Sequence, residues 1–333
     1  MQGLRENKYR WLNKKEFSKT NYKKILPYKP FYFFKKDYTE DIKEYLGWTG
    51  VQEIFSVNSV GIVTARDHLT IKLNANELLN TIRNFSKMES ELARQAYQLG
   101  EDARDWKVKL AQEDLKKSNL DPENVNIISY RPFDNRFTFY TGNSKGFHCM
   151  PRPEVMQHML RDNIALNTLR QVKVGEDWMH AFVSNSITES CYISNKTSEI
   201  SYCFPLYLYK TEEKKKKNAL QSMMLFEPEV EYDKKGRTAN IAPKVFEQLE
   251  NAYKKKPTPE QILYYCYGIL YSNGYREKYA EFLKIDFPRI PFTADYKLFL
   301  QMARLGEELS ELHLMKHKSL NRPVAKYKGS GED

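Results

Sequence analysis

Between Arg131 and Tyr140 the sequence sets a pattern that extended backbone satisfies and a helix does not. Pro132 holds Arg131 extended, because the proline ring disfavours a helical conformation in the residue before it. Aromatic rings then recur at every second position, at Phe137 and Phe139, with polar or amphipathic groups between them, which is the period of a half-buried strand. A turn over Thr141–Gly146 follows. Pro153 suits the start of a helix over Glu154–Arg161, whose Val155, Met159 and Leu160 share a face. Arg131, Arg136, Arg152 and Arg170 are therefore spread over strands and turns instead of one helix. Planar guanidinium forks on a stiff extended scaffold suit phosphates and guanine edges.

Composition narrows the partner. The 333 residues are 41% hydrophobic and 14% aromatic, enough to bury a core and too rich in rings for a disordered chain. The formal net charge of +10 favours a polyanion. The excess sits at the flanks, since residues 121–210 hold nine Lys and Arg against nine Asp and Glu. Basic flanks on phosphates and a polar centre on bases would look like this, and so would a merely basic soluble protein. Four unpaired-looking cysteines, no signal-like apolar run and no stretch near 20 apolar residues point to a reducing, cytoplasmic setting without a membrane.

Taken in order, residues 1–29 are a basic, aromatic lead-in. Pro30–Phe34 reads as a strand, Asp37–Tyr45 as a helical turn and Val51–Val63 as holding a second strand. Residues 76–117 read as a helical hairpin, with Leu78, Ile82 and Phe85, then Leu92, Ala96 and Leu99, then Trp106 and Leu110 facing inward, and a break at Gly100. Val125–Ser129, Trp178–Val183, Cys191–Ser194 and Tyr202–Tyr209 read as further strands. The loops between them, Ser184–Glu189 and Ser194–Glu199, are rich in groups that hydrogen-bond base edges. Residues 212–257 form a basic irregular connector. Thr258-Pro259-Glu260-Gln261 is a capping-box helix start whose buried face runs through Ile262, Leu263, Cys266, Ile269 and Leu270. A turn at Asn273-Gly274, a helix over 275–284 and a last helix started by Thr293, with Phe299, Met302, Leu305, Leu309 and Leu312 inward, complete a helical subdomain over 258–318. Residues 319–333 read as a frayed tail. The fold class is thus α+β, a core of short mixed and antiparallel strands over 30–211 with a helical spacer and a C-terminal helical cap.

Several segments also resemble, in order, the C-terminal specificity (target-recognition) domain of type ISP restriction-modification enzymes. They are Pro30–Phe34, Gly61-Ile62-Val63-Thr64-Ala65-Arg66-Asp67, Arg131–Arg136, Pro151-Arg152-Pro153, Asn163 with Arg170-Gln171, Phe204–Tyr209 and Tyr275–Pro291. The resemblance spans about residues 22–315. It implies a module that grips double-stranded DNA and reads a short asymmetric sequence, while methyltransferase and helicase-nuclease modules, in cis or in trans, do the chemistry. Residues 1–29 would follow the methyltransferase. S-adenosylmethionine, ATP and magnesium would belong to those other modules, and this chain would need no cofactor and catalyse nothing. In keeping with that, the sequence has no glycine-rich cofactor loop, no Asn/Asp-Pro-Pro-aromatic loop and no GxxxxGK[ST] phosphate loop. His148, Cys149, His158, Cys191 and Cys203 match no familiar zinc spacing.

The candidate DNA contacts follow from both readings. Arg131, Arg136, Arg152 and Arg170 are forks for guanine or phosphate; Asn135, Gln171, Asn185 and Lys196 are candidates for base edges; Arg66 and Lys145 are candidates for the phosphate backbone, with Lys173 beside them. Arg131 and Arg136 have an alternative: pairing with Asp134 or Glu154 and bracing the fold. Two other functions stay open, a stand-alone nuclease or methyltransferase with a degenerate site, and a protein-interaction subunit whose basic flanks dock an acidic partner.

Overall fold

The computed structural model describes residues 5–19, 29, 39–172, 177–196, 199–210, 232–322, 325 and 328–329. The chain forms two compact units, Met1–Glu44 and Tyr45–Asp333. The first carries α1 (Arg5–Lys14), a charged helix with no buried residue; α2 (Thr39–Leu46) runs across the boundary. The expected strand at Pro30–Phe34 and the charge run at 212–218 lie outside the described residues.

The second unit is α+β. It continues through β1 (Thr49–Gly50), α3 (Val51–Ile54), β2 (Ser59–Val60), α4 (Asp67–Thr70) and β3 (Ile71–Lys72) into three helices, α5 (Ala75–Lys87), α6 (Ser90–Ala96) and α7 (Val108–Lys117). Next come the hairpin β4 (Val125–Arg131) and β5 (Asp134–Phe139), α8 (Pro153–Met159), β6 (Ala165–Leu169), β7 (Ala181–Ser184), β8 (Ile187–Thr188), β9 (Ser201–Pro205), β10 (Tyr207–Tyr209) and β11 (Arg237–Ala239). The C-terminal part holds α9 (Pro243–Tyr253), α10 (Pro259–Tyr271), α11 (Asn273–Lys278), α12 (Ala280–Leu283), β12 (Arg289–Ile290) and α13 (Tyr296–His313).

Two four-stranded sheets carry the core. One is antiparallel, in the order β2-β9-β6-β7; the other runs β3-β5-β4-β8, with β8 parallel to β4. Ile128 and Ile187 of the second sheet, Ala165 and Cys203 of the first, and Val155 and Met156 of α8 share one apolar cluster that joins them. A second cluster packs Leu78, Ile82 and Phe85 of α5 and Val108, Ala111 and Leu115 of α7 against Phe139, Phe147 and Trp106. Asn74 caps α5, its side chain accepting from the Glu77 amide at 2.8 Å, and Thr258 and Gln261 form the anticipated capping box of α10.

The structure departs from the sequence expectation where packing overrides pattern. Residues 76–117 are three helices, not a hairpin, and α6 buries Ala93 while Leu92 is exposed. The strand expected within Val51–Val63 is β2, after a helical Val51–Ile54; Cys191–Ser194 forms turns and bends, and Asn273-Gly274 opens α11 because the Ser272 side chain caps it. The connector contains α9, which the sequence reading omitted. In α13 the buried residues are Phe299, Ala303, Gly306 and Ser310, whereas Leu305 is 59% exposed. Small side chains face inward there because α10 lies very close: a Cβ added to Gly306 would sit 1.9 Å from the Tyr264 carbonyl oxygen, and one added to Gly268 2.9 Å from that of Met302. The helical cap seats on the first sheet through the Tyr271 hydroxyl, which donates to the Ala181 carbonyl at 2.9 Å, and through His313, stacked on Phe182 at 4.7 Å.

Candidate nucleic-acid interface

The β4–β5 turn gathers the densest set of candidate residues. Its chain reversal needs a left-handed residue, supplied by Phe133 at φ 64°. Arg131 and Arg136 project from the two strands and lie over the Tyr130 ring, at 3.9 and 4.4 Å from its centroid. Arg131 Nη1 donates to Glu189 Oε2 at 2.6 Å. That carboxylate is 4% exposed and also accepts from the Ser190 hydroxyl and the Cys191 amide, both at 2.8 Å. Arg136 donates from Nε to both oxygens of Asp134, at 2.9 and 3.0 Å. This contact raises the arginine pKa further. Tyr130 donates to Asp67 Oδ2 at 2.8 Å; burial, and then that carboxylate, push its phenol up to about 12. The bracing alternative therefore describes the geometry of both arginines, with Glu189 as the partner of Arg131 in place of Asp134 or Glu154. Asn135 is exposed; its Oδ1 accepts from the Ser129 hydroxyl at 3.4 Å, and its amide nitrogen makes no hydrogen bond among the described residues.

Arg66 is also committed within the chain. It stacks over Trp106 at 4.9 Å and donates to the main-chain carbonyls of Leu99 and Glu101, tying the α4 entry to the α6–α7 connection. Arg170 differs: its side chain is 57% exposed and meets Asp286 at 3.2 Å. An exposed pair of that kind contributes little and exchanges readily with another anion. Gln171 beside it is exposed and makes no hydrogen bond among the described residues. Lys196 is exposed in the loop before β9, on the same end of the sheet as Arg170, because Leu169 pairs with Ser201. Lys173 lies outside the described residues.

Asn185, at the start of the loop Ser184–Glu189, does not join that end. Antiparallel pairing sets Ala165 opposite Ser184, so Asn185 sits at the start of β6 and Arg170 at its finish, roughly 15–20 Å apart at the rise of a strand. Asn185 lines a cavity of about 390 Å³ with Asn163, Tyr207, Arg237 and Glu260.

Lys145 and Arg152 form a second group on either side of the Gly146–Met150 segment. Asp114, buried on α7, fixes the turn that presents Lys145: it accepts from the Thr141 hydroxyl, the Asn143 amide side chain and the Phe147 main-chain amide, each at 2.8 Å. A Cβ on Gly146 would lie 2.2 Å from Asp114 Oδ2, so no other residue fits there without displacing that carboxylate. Sequence reading missed Asp114, and it missed Tyr130 as the partner of Asp67 and Arg131 as that of Glu189, because a carboxylate's partner depends on which strands and helices meet. His148, in the same segment, is fully buried, with Nε2 2.8 Å from Thr138 Oγ1. Thr138 gives its own proton to the Thr70 carbonyl, so the imidazole donates, and burial, which pushes its pKa down to about 4, keeps it neutral at pH 7. His158 lies elsewhere, accepting from the Tyr209 amide at 3.0 Å. Among the described residues no three His, Cys, Asp or Glu side chains group as a metal site, and no helix is long and apolar enough to cross a membrane.

The sequence model of the type ISP C-terminal specificity domain matches residues 53–333. The chain belongs to that family. Three solved structures share the specificity-domain fold. One is the DrdV–DNA complex determined by cryo-EM, with TM-score 0.61, 21% identity and 93% of this chain covered. Another is a nuclease-deletion mutant of the type ISP restriction-modification enzyme LlaGI in complex with a DNA substrate mimic, with TM-score 0.52, 20% identity and 82% covered. The ATP-dependent type ISP enzyme LlaBIII bound to DNA has TM-score 0.53, 18% identity and 82% covered. At these identities the likeness is one of fold. The specificity-domain chain spans only 29%, 20% and 16% of those chains' lengths. No curated protein matches its sequence.

Proposed function

We propose that this specificity domain binds double-stranded DNA and reads a short asymmetric target, holding it for adenine methylation and restriction by other modules of a type ISP enzyme. The observation that carries the reading is the family match over residues 53–333; the shared fold with proteins solved on DNA supports it. In this reading the chain supplies recognition and no catalytic group, and S-adenosylmethionine, ATP and magnesium serve the other modules.

The contacts divide by how strongly each side chain is already held. Arg131 and Arg66 stiffen the reading loops, because exchanging their buried or main-chain acceptors for DNA would leave those acceptors unpaired, and Arg136 is held by the bidentate carboxylate of half-exposed Asp134. Arg170, Gln171 and Asn135 are the least committed of the candidates within the chain, and Lys196 is exposed on the same end of the sheet as Arg170. Asn185 lies too far along β6 to share a base step with Arg170 and would act on a separate part of the duplex. The test is the binding of single variants to a panel of duplexes. Gln171→Ala and Asn135→Ala should each lose discrimination at one base pair, about 1–3 kcal/mol. If Arg170→Ala and Gln171→Ala change neither affinity nor preference, that end of the sheet does not touch DNA.

A further inference from the structure

Arg152 is built differently from the other candidate arginines. Arg66, Arg131 and Arg136 spend their donors on carbonyl or carboxylate oxygens. Arg152 offers Nη2 only to the Met150 sulfur, at 3.2 Å, a weak acceptor, and its Nε is buried without a hydrogen-bond partner. Leaving such a donor unpaired is unfavourable, so an unpaired one marks a place where an acceptor is missing. The side chain lines a cavity of about 240 Å³ whose wall also carries Ser144 and Lys145. The Lys145 ammonium makes no hydrogen bond or ion pair among the described residues. Lys145 and Arg152 are both left-handed, at φ 59° and 55°. For residues that carry a Cβ this is a costly conformation, retained at both cations facing one cavity.

Two carboxylates share the wall, Asp105 and Glu154. Asp105 is neutralised by its ion pair with Arg104, which holds its carboxyl below the usual range. Glu154 is exposed. The wall itself carries two cations and two anions; Arg104, outside it, pairs with Asp105, and the unpaired donors in the wall belong to Lys145 and Arg152. We infer that the cavity between Lys145 and Arg152 seats one phosphodiester of the DNA backbone, with Ser144 able to donate a third hydrogen bond. This rests on the DNA-recognition reading and adds a fixed register point to it: a contact that grips every sequence alike and sets where the reading ends of the sheet fall.

The experiment measures duplex affinity against salt for the full chain, Lys145→Gln and Arg152→Gln, with circular dichroism confirming each fold. Lys145 is exposed, so Lys145→Gln keeps the test alive should Arg152→Gln unfold. Each variant is expected to make the log–log salt slope less negative by about 0.9, which is roughly an eightfold affinity loss near 0.1 M salt, equal for preferred and unrelated duplexes. Methylphosphonate substitution, scanned along the preferred duplex, should reveal one linkage whose neutralisation weakens the wild type more than it weakens Lys145→Gln or Arg152→Gln. Inorganic phosphate that raises the wild-type melting temperature, with no methylphosphonate effect, would mean a free-phosphate site and overturn the proposal. An unchanged slope in a folded variant, with the wild type still selecting a sequence, would overturn the pocket and leave DNA recognition standing. A wild type that binds no duplex would overturn both.

Discussion

Replacing Arg131 with alanine removes the counter-charge of a carboxylate that water cannot reach. Glu189 is 4% exposed, and its remaining partners are the neutral donors Ser190 and the Cys191 amide. Deleting one member of a buried pair costs about 3–5 kcal/mol; Arg131 is 28% exposed, so water enters the vacated space and the lower end applies. The lost contact with the Tyr130 ring adds about 0.5–1 kcal/mol. The sum, about 3.5–4 kcal/mol, corresponds to a fall in melting temperature of roughly 6–7 °C for a unit of this size. Urea unfolding of four proteins measures it: the wild type, Arg131→Ala, Glu189→Gln and the double variant. A neutral amide at 189 needs no counter-charge, so the double variant should recover more than about 1 kcal/mol of the single loss. Arg131→Ala, where still folded, should rank duplexes as the wild type does. Full stability combined with lost discrimination at one base pair would refute the bracing role and make Arg131 a reader.

Three further outcomes follow from packing and burial. Gly306→Ala should destabilise by about 1–3 kcal/mol or more in urea unfolding, because its Cβ would meet the Tyr264 carbonyl at 1.9 Å and force α10 and α13 apart. Burial pushes His148 down to about 4 from 6.5, so stability is complete above pH 6.5 and declines as the pH falls towards 4. The loss over that window is about 3 kcal/mol, and in His148→Gln this part of the pH dependence should disappear. Asp114→Ala frees three donors of the Thr141–Phe147 turn and should lower both the melting temperature and the affinity for every duplex, whereas Asp121→Ala, at an exposed cap, should lower neither by more than a small amount.

The elements legible in the sequence are those whose signal is local. Alternation marked β5, Pro153 marked α8, and Thr258 with Gln261 marked the start of α10 because a cap is written within four residues. What the sequence hid depends on contact between distant segments. The leucines of α13 look like a core face until Gly306 and Gly268 are seen to bring two backbones together, turning Leu305 outward. The arginine-rich character of the reading region was visible, but its division was not. Glu189, 58 residues from Arg131, and Leu99, 33 residues from Arg66, decide that those guanidinium groups are held. The Ser184–Glu189 and Ser194–Glu199 loops look equivalent in composition, and only the register of β6 against β7 and β9 places Asn185 and Lys196 at opposite ends of the sheet.

The central claim, sequence-selective grip on duplex DNA, is tested most directly by selecting bound molecules from a pool of randomised duplexes at two salt concentrations. One short asymmetric sequence should be enriched, with total binding that falls steeply as salt rises and a preference that survives it. Binding without enrichment, or a pool recovered unchanged at both concentrations, would contradict it.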